Sequence, residues 1–150
     1  MLIVLAKDIM TKDVISVKPD ASIRELAELL LAKRISGVPV VDDSGALRGI
    51  VSEGDLMRKE IAPEVPDELC ILGAVIYYNG LQEYKDAFRK FSAMTAKEIM
   101  TEKVLTVKEN DDVSKVAKIM LDKHIKRLPV MDGDKLAGIV SRSDIVKMLL

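Results

Sequence analysis

The chain has one cysteine, one histidine and almost no imbalance of charge, and each shortage removes a class of function. Cys70 has no second cysteine with which to form an intramolecular disulfide, and one Cys with one His cannot supply the ligand spacing of a zinc site. Such a chain suits a reducing, cytoplasmic setting. With 23 Lys+Arg against 24 Asp+Glu the formal net charge is −1, so no global field draws the protein to nucleic acid or to an anionic membrane, and any anion site has to be local. Long apolar runs are lacking as well. The opening Met1-Leu2-Ile3-Val4-Leu5 has no basic flank and reaches Lys7 at once, while the run from Leu69 to Tyr78 falls well short of the ~20 residues that cross a bilayer. P-loop spacing, a dinucleotide glycine fingerprint and a strained serine elbow are all missing, which leaves only Asp, Lys and Ser from which to build an enzyme. The chemistry of these residues favours a binding protein over a catalyst.

What the chain does have is an internal repeat. Ala6-Lys7-Asp8-Ile9-Met10-Thr11 returns as Ala96-Lys97-Glu98-Ile99-Met100-Thr101, and Val14-Ile15-Ser16-Val17-Lys18 returns as Val104-Leu105-Thr106-Val107-Lys108. Val38-Pro39-Val40-Val41-Asp42 matches Leu128-Pro129-Val130-Met131-Asp132, and after a one-residue deletion Gly49-Ile50-Val51-Ser52-Glu53-Gly54-Asp55 matches Gly138-Ile139-Val140-Ser141-Arg142-Ser143-Asp144. Repeats of this length are single supersecondary units that bury their apolar faces against each other. The division is a first repeat over 6–58, a connecting stretch over 59–95 and a second repeat over 96–150.

Each repeat predicts the same α/β (α+β) order, β-α-β-β-α. Val14 to Val17 is a short β-branched run, and Ser22-Ile23-Arg24-Glu25 is a capping box that starts a helix carrying Ile23, Leu26, Ala27 and Leu30 on one face. Asp112 caps the equivalent helix with Val113, Val116, Ala117 and Met120. Asp42-Asp43-Ser44-Gly45 and Asp132-Gly133-Asp134 are hairpin turns between apolar strands, and a last helix follows Ser52 or Ser141. Half a chain of this size buries too little apolar surface to stand alone, so the two repeats are expected to pack with pseudo-twofold symmetry.

With this order, the duplicated Ile-Met-Thr opening, the Val-Pro-Val or Leu-Pro-Val strand and the Gly-Ile-Val-Ser-x-x-Asp ending, the chain resembles the CBS (cystathionine-beta-synthase) domain family, as a tandem pair. The resemblance implies two clefts between the repeats that bind an adenosine derivative (AMP, ADP, ATP or S-adenosylmethionine) as a regulatory ligand, with no obligatory cofactor, and modules that pair as a homodimer. Carried over position by position, it implies a primary cleft of Thr11, Val14, Ile35 and Ser36 with Lys126, Arg127, Ile139, Ser141, Ser143 and Asp144. The mirror cleft would use Thr101, Val104, Ile125 and Lys126 with Ser36, Gly37, Ile50, Ser52 and Asp55. An aspartate suits the vicinal hydroxyls of a ribose, since a carboxylate accepts two hydrogen bonds, and serine with free helix-start amides suits ribose or phosphate oxygens. Ser-x-x-Asp at a helix start is equally a self-contained cap. Lys126 and Arg127, with Arg142 nearby, make the Asp144 cleft the more attractive to phosphate, although cations there also suit the end of a helix. In the mirror cleft Ser36-Gly37 and Glu53 stand in their place. His124 reads as a surface cation or helix-dipole partner, and the eight methionines as core filling.

Residues 59–95 are longer than a minimal connection. Pro63 and Pro66 punctuate the exit, Asp67 is positioned to cap a short helix, and after Asn79-Gly80 a helical stripe of Tyr84, Ala87, Phe88 and Phe91 follows. A helical linker is therefore expected. All three tyrosines and both phenylalanines lie in it, which fits a dimer contact involving Tyr77, Tyr78 and Phe88, a lid, a partner surface, or simple cover for the module's own apolar face. The leading reading is a ligand-sensing module acting on an unknown target protein. The alternative is an interaction scaffold with vestigial clefts, and the mixed charge disfavours nucleic acid.

Overall fold

Ser22 Oγ accepts from Glu25 N at 3.1 Å while the Glu25 carboxylate accepts from Ser22 N, so the capping box read in the sequence starts the main helix of the first repeat. The computed structural model describes residues 2–150, without the side chains of Leu69, Ile71 and Tyr78. The first repeat contains α1 (Ala6–Ile9), α2 (Ile23–Lys33), β1 (Gly37–Val41), β2 (Leu47–Ser52) and α3 (Glu53–Met57), followed by a 3-10 turn over Arg58–Glu60. The connecting stretch forms β3 (Asp67–Ile71), β4 (Ala74–Asn79) and α4 (Leu81–Ser92). The second repeat supplies α5 (Ala96–Ile99), β5 (Val107–Lys108), α6 (Val113–Asp122), β6 (Arg127–Asp132), β7 (Lys135–Ser141) and α7 (Arg142–Lys147).

Two cores form, and each borrows from the other repeat. Leu26 and Leu30 of α2 pack with Val38, Val40 and Val51 of the β1–β2 hairpin, but the cluster is closed by Ala96, Ile99 and Met100 at the start of the second repeat. Val116, Met120, Leu128, Val130 and Val140 form the second cluster, closed by Ala6 of α1. Backbone bonds fix the exchange: Ala6 N donates to Asp111 O and Ala96 N to Ala21 O, both at 2.8 Å. Thr11 and Ile139 exchange both bonds at 2.8 and 3.0 Å, as Ile50 and Thr101 do at 3.0 and 2.9 Å. The pseudo-twofold arrangement is therefore held by interlocked openings.

The β-α-β-β-α order holds in the second repeat, while in the first its opening strand shrinks to a single bridge. Val14 to Val17 is not an extended ladder strand. Only Val17 bridges, parallel, to Val40, and in the second repeat the strand is two residues long, Val107–Lys108 beside Val130–Met131. The entirely helical linker is corrected too. Asp67 opens a β-strand rather than capping a helix, and β3 and β4 form an antiparallel hairpin turning at Leu72-Gly73, both with positive φ. Such a turn needs φ > 0 at both central residues, which leucine hides from a sequence reading. The second half of the linker is the helix expected, with Tyr84 and Phe88 rings stacked at 6.0 Å between centroids. Tyr78, expected at an interface, has its side chain outside the described residues.

Candidate functional site

Exchange of the openings is what builds the clefts. Because Thr11 is hydrogen-bonded to Ile139, the loop after α1 lies over the end of β7, where Ser141 begins α7. A cavity of about 320 Å³ results, lined by Thr11, Asp13, Val14, Ile15, Ile35, Gly37, Arg127, Ile139, Ser141, Ser143 and Asp144. Of the primary set, Ser36 and Lys126 line the next cavity instead. That central cavity of about 360 Å³ contains His124, Lys126, Arg127, Ser36, Ser52 and Glu53 and shares Gly37, Arg127 and Ile139 with the first. Arg127 sits at the junction, with Nη1 donating to Ser36 Oγ at 2.7 Å across the two repeats.

The cap reading of Ser-x-x-Asp is realised in both copies. Ser141 N and Ser141 Oγ donate to Asp144 Oδ2 at 2.8 and 2.9 Å, and Asp144 N lies 3.3 Å from Ser141 Oγ. Capping uses one carboxylate oxygen. Asp144 Oδ1 has no hydrogen-bond partner among the described residues, and the side chain is half-buried at the cleft wall. The cap thus orients a carboxylate whose second oxygen remains available to a ligand hydroxyl.

Arg142 does not line the cleft. Its Nε donates to Ile125 O at 2.9 Å and its Nη2 to Met120 O at 3.3 Å, so the guanidinium satisfies carbonyls at the end of α6. Asp13, which sequence reasoning missed, brings a second carboxylate to the Asp144 cleft. The cations available to a phosphate are Arg127 and, one cavity further, Lys126, with the His124 ring beside it. His124 itself has φ 55°, the left-handed residue that ends its helix, and Arg34 does the same in the first repeat.

The mirror cleft is not assembled in the same way. Ile50 and Ser52 line the central cavity, Thr101 lines a separate surface cavity beside α4, and Val104 and Ile125 line neither. Thr101 and Asp55 do meet, with Thr101 Oγ1 3.4 Å from Asp55 Oδ1. Between them stands Lys90 of α4. Its ammonium pairs with Asp55 Oδ1 and donates to Thr101 Oγ1 at 3.0 Å, leaving Asp55 6% exposed. Nothing in the sequence marked Lys90, because its position depends on where α4 docks.

Two copies of one unit, each ending in a capped Ser-x-x-Asp and each lending its opening to the other, agree with a family model for the CBS domain that matches residues 6–61 and 96–150. The chain belongs to the CBS domain family. It is a tandem CBS pair, similar over 99% of its length to an uncharacterised protein of Methanocaldococcus jannaschii, at 32% identity and 92% coverage of that protein. CBSX2, a chloroplastic CBS domain-containing protein of Arabidopsis thaliana, is 31% identical over 89% of this chain, which spans 58% of the CBSX2 length. The crystal structure of CBSX2 in complex with AMP matches this CBS pair with a TM-score of 0.74 and 28% identity, covering 97% of this chain and 95% of that one. A CBS pair from protein MJ0100, in complex with 5′-methylthioadenosine and S-adenosyl-L-methionine, matches with a TM-score of 0.69 and 30% identity over 99% and 97% of the two chains. Among the described residues no helix is long and apolar enough to cross a membrane, and no cluster of three or more His, Cys, Asp or Glu could hold a metal.

Proposed function

We propose that the protein is a regulatory module that binds one adenosine derivative in the Asp144 cleft and signals its occupancy to a separate protein. One observation carries the reading: Asp144, with one carboxylate oxygen unpartnered among the described residues, lines an open cavity that continues to Arg127 and Lys126. The vicinal hydroxyls of a ribose would bond Asp144, the base would lie against Val14, Ile35 and Ile139, and a phosphate would reach Arg127 at the junction of the cavities. Thr11 and the Ser141 and Ser143 hydroxyls complete the polar wall. The AMP of CBSX2 and the methylthioadenosine and S-adenosylmethionine of the MJ0100 pair support the ligand class, and the cations at the junction favour its phosphorylated members.

A sensor acts only by differential affinity between two states of what it touches, so the read-out passes through a partner protein, with a homodimer of modules as the working assembly. No step in this role requires catalysis. The free, exposed thiol of Cys70 suits a reducing compartment such as the cytoplasm.

Isothermal titration of nucleotide-free protein with AMP, ADP, ATP and S-adenosylmethionine tests this reading. Asp144→Ala is expected to weaken binding by about 10- to 100-fold, the worth of hydrogen bonds to a charged group. Arg127→Ala should weaken AMP while leaving adenosine nearly unaffected. If Asp55→Ala abolishes binding and Asp144→Ala does not, the clefts are reversed. No heat with any of the four ligands would replace the sensor by a scaffold with vestigial clefts.

A further inference from the structure

The two clefts differ at one carboxylate oxygen. In both repeats Oδ2 of the aspartate is used by the helix cap, from Ser141 N at 2.8 Å in one and Ser52 N at 2.9 Å in the other. Oδ1 of Asp144 is unpartnered among the described residues, whereas Oδ1 of Asp55 receives the Lys90 ammonium and the Thr101 hydroxyl. Lys90 is deeply placed for a lysine, with its side chain 12% exposed. Its three N–H donors take up the acceptor that a ligand's hydroxyls would use, and they do so with a full positive charge on a nearly buried carboxylate.

The element that carries Lys90 is weakly seated. Helix α4 has no buried residue, and polar contacts to its C-terminal half and exit hold it: Lys59 Nζ on Phe91 O at 3.1 Å and on Ala93 O, and Arg89 Nη1 on Glu98 O and Met100 O at 2.9 and 3.0 Å. Ala93, immediately after the helix, is 1% exposed and packed in the first core, which fixes one end while the rest of α4 has little apolar surface to give up. Segments with few buried contacts open at low cost.

We propose that α4 gates the Asp55 cleft, with Lys90 as a tethered occupant of the position that a second nucleoside's hydroxyls would take. The inference rests on the reading of these aspartates as hydroxyl acceptors. Resting protein binds a single equivalent at micromolar ligand, and a second enters only when it displaces the ammonium. The gate makes a one-site sensor from a chain that carries two copies of the motif.

AMP is the probe, with titration reading the number of equivalents and their affinities. Wild type should take up one equivalent, and Lys90→Arg, which keeps the cation, should do the same. Lys90→Ser, which admits water to Asp55, should gain a second equivalent at least tenfold tighter than any second binding in wild type, and Lys90→Ser/Asp55→Asn should lose it. Two tight equivalents in wild type, or no gain in Lys90→Ser, overturns the gate. Lys90→Ser/Asp144→Ala separates the two proposals: a tight equivalent there that Asp144→Ala alone lacks upholds the gate whatever Asp144 does, and binding confined to Asp144 in every variant leaves the proposed site standing without it. Should Lys90→Ser not fold, the acetylation rate of Lys90 in wild type, followed by mass spectrometry, decides. A rise in millimolar AMP supports displacement, and an unchanged rate refutes it.

Discussion

A Cβ added to Gly49 would lie 2.7 Å from Met100 Sδ and 2.8 Å from Thr101 O, and one added to Gly138 would lie 2.5 Å from Met10 Sδ and 2.9 Å from Thr11 O. Methionine can rotate away, but the carbonyl belongs to the bridge that joins the repeats. Gly49→Ala is therefore expected to lower stability by about 1–3 kcal/mol through overpacking, read as a lower urea midpoint at unchanged slope. An unchanged midpoint would mean that the opening turn shifts freely on its strand. This contact also explains why the Ile-Met-Thr and Gly-Ile-Val-Ser motifs occur together: each copy of one is the lock for the opposite copy of the other. The motifs were legible as letters, and their pairing across repeats came from the family resemblance, because nothing in a repeat's own sequence says that it closes its neighbour. At the Asp144 site the carboxylate and Ser141 were legible from Ser-x-x-Asp, and Ser143 from the family resemblance. Asp13 was not, since it lies in an irregular loop with no periodicity to aim it.

Helices α2 and α6 were legible because their signals are local. An apolar stripe at 3.6-residue spacing sits behind a side-chain cap, Ser22 in one case and Asp112, accepting from Ser114 N at 2.8 Å, in the other. Ser22→Ala should cost about 1 kcal/mol, seen by thermal unfolding. The β3–β4 hairpin was hidden for an equally local reason. Leu72 adopts φ 50° with its side chain fully exposed, so the first central position lacks the Asn or Gly that, before Gly73, would announce the turn. Leu72→Asn is expected to slow amide exchange in the hairpin by relieving up to about 1 kcal/mol of left-handed strain, and unaltered exchange would contradict that cause. Two turns also carry a pH dependence. The Ser44 hydroxyl, against a desolvation cost, holds the Asp42 carboxyl below its ordinary value, as the Lys108 backbone N–H does for Asp111. With the folded value depressed, their contribution is complete above the ordinary carboxylate value near ~3.9 and fades as pH falls through the lower folded value. Asp111→Asn should therefore lower stability at neutral pH and leave it nearly unchanged at the acid end, flattening the acid limb of the stability curve.

Taken whole, the chain exposes 10265 Å², well above the about 7,600 Å² expected of a compact monomer of this size. Part of the excess lies on the linker, where Leu72, Val75, Ile76, Tyr77 and Phe88 are exposed. Packing of one module on another is the expected remedy, so sedimentation should give twice the chain mass, and Ile76→Ser/Tyr77→Ser/Phe88→Ser should return it to one. A dimer unaffected by the triple change would place its interface elsewhere. Pseudo-twofold packing was legible from the 90-residue offset of the opening motifs and from the small size of each half, whereas the closure of each core by the other repeat's opening was not. That trade has a temporal consequence. The β1–β2 hairpin leaves the ribosome with its core incomplete, since Ala96, Ile99 and Met100 are still to be made. At synthesis rates of ~5–20 residues per second the wait is roughly 2–10 s. During it Val38, Val40 and Val51 face solvent or a chaperone, and neither repeat reaches its final state before the other has been translated.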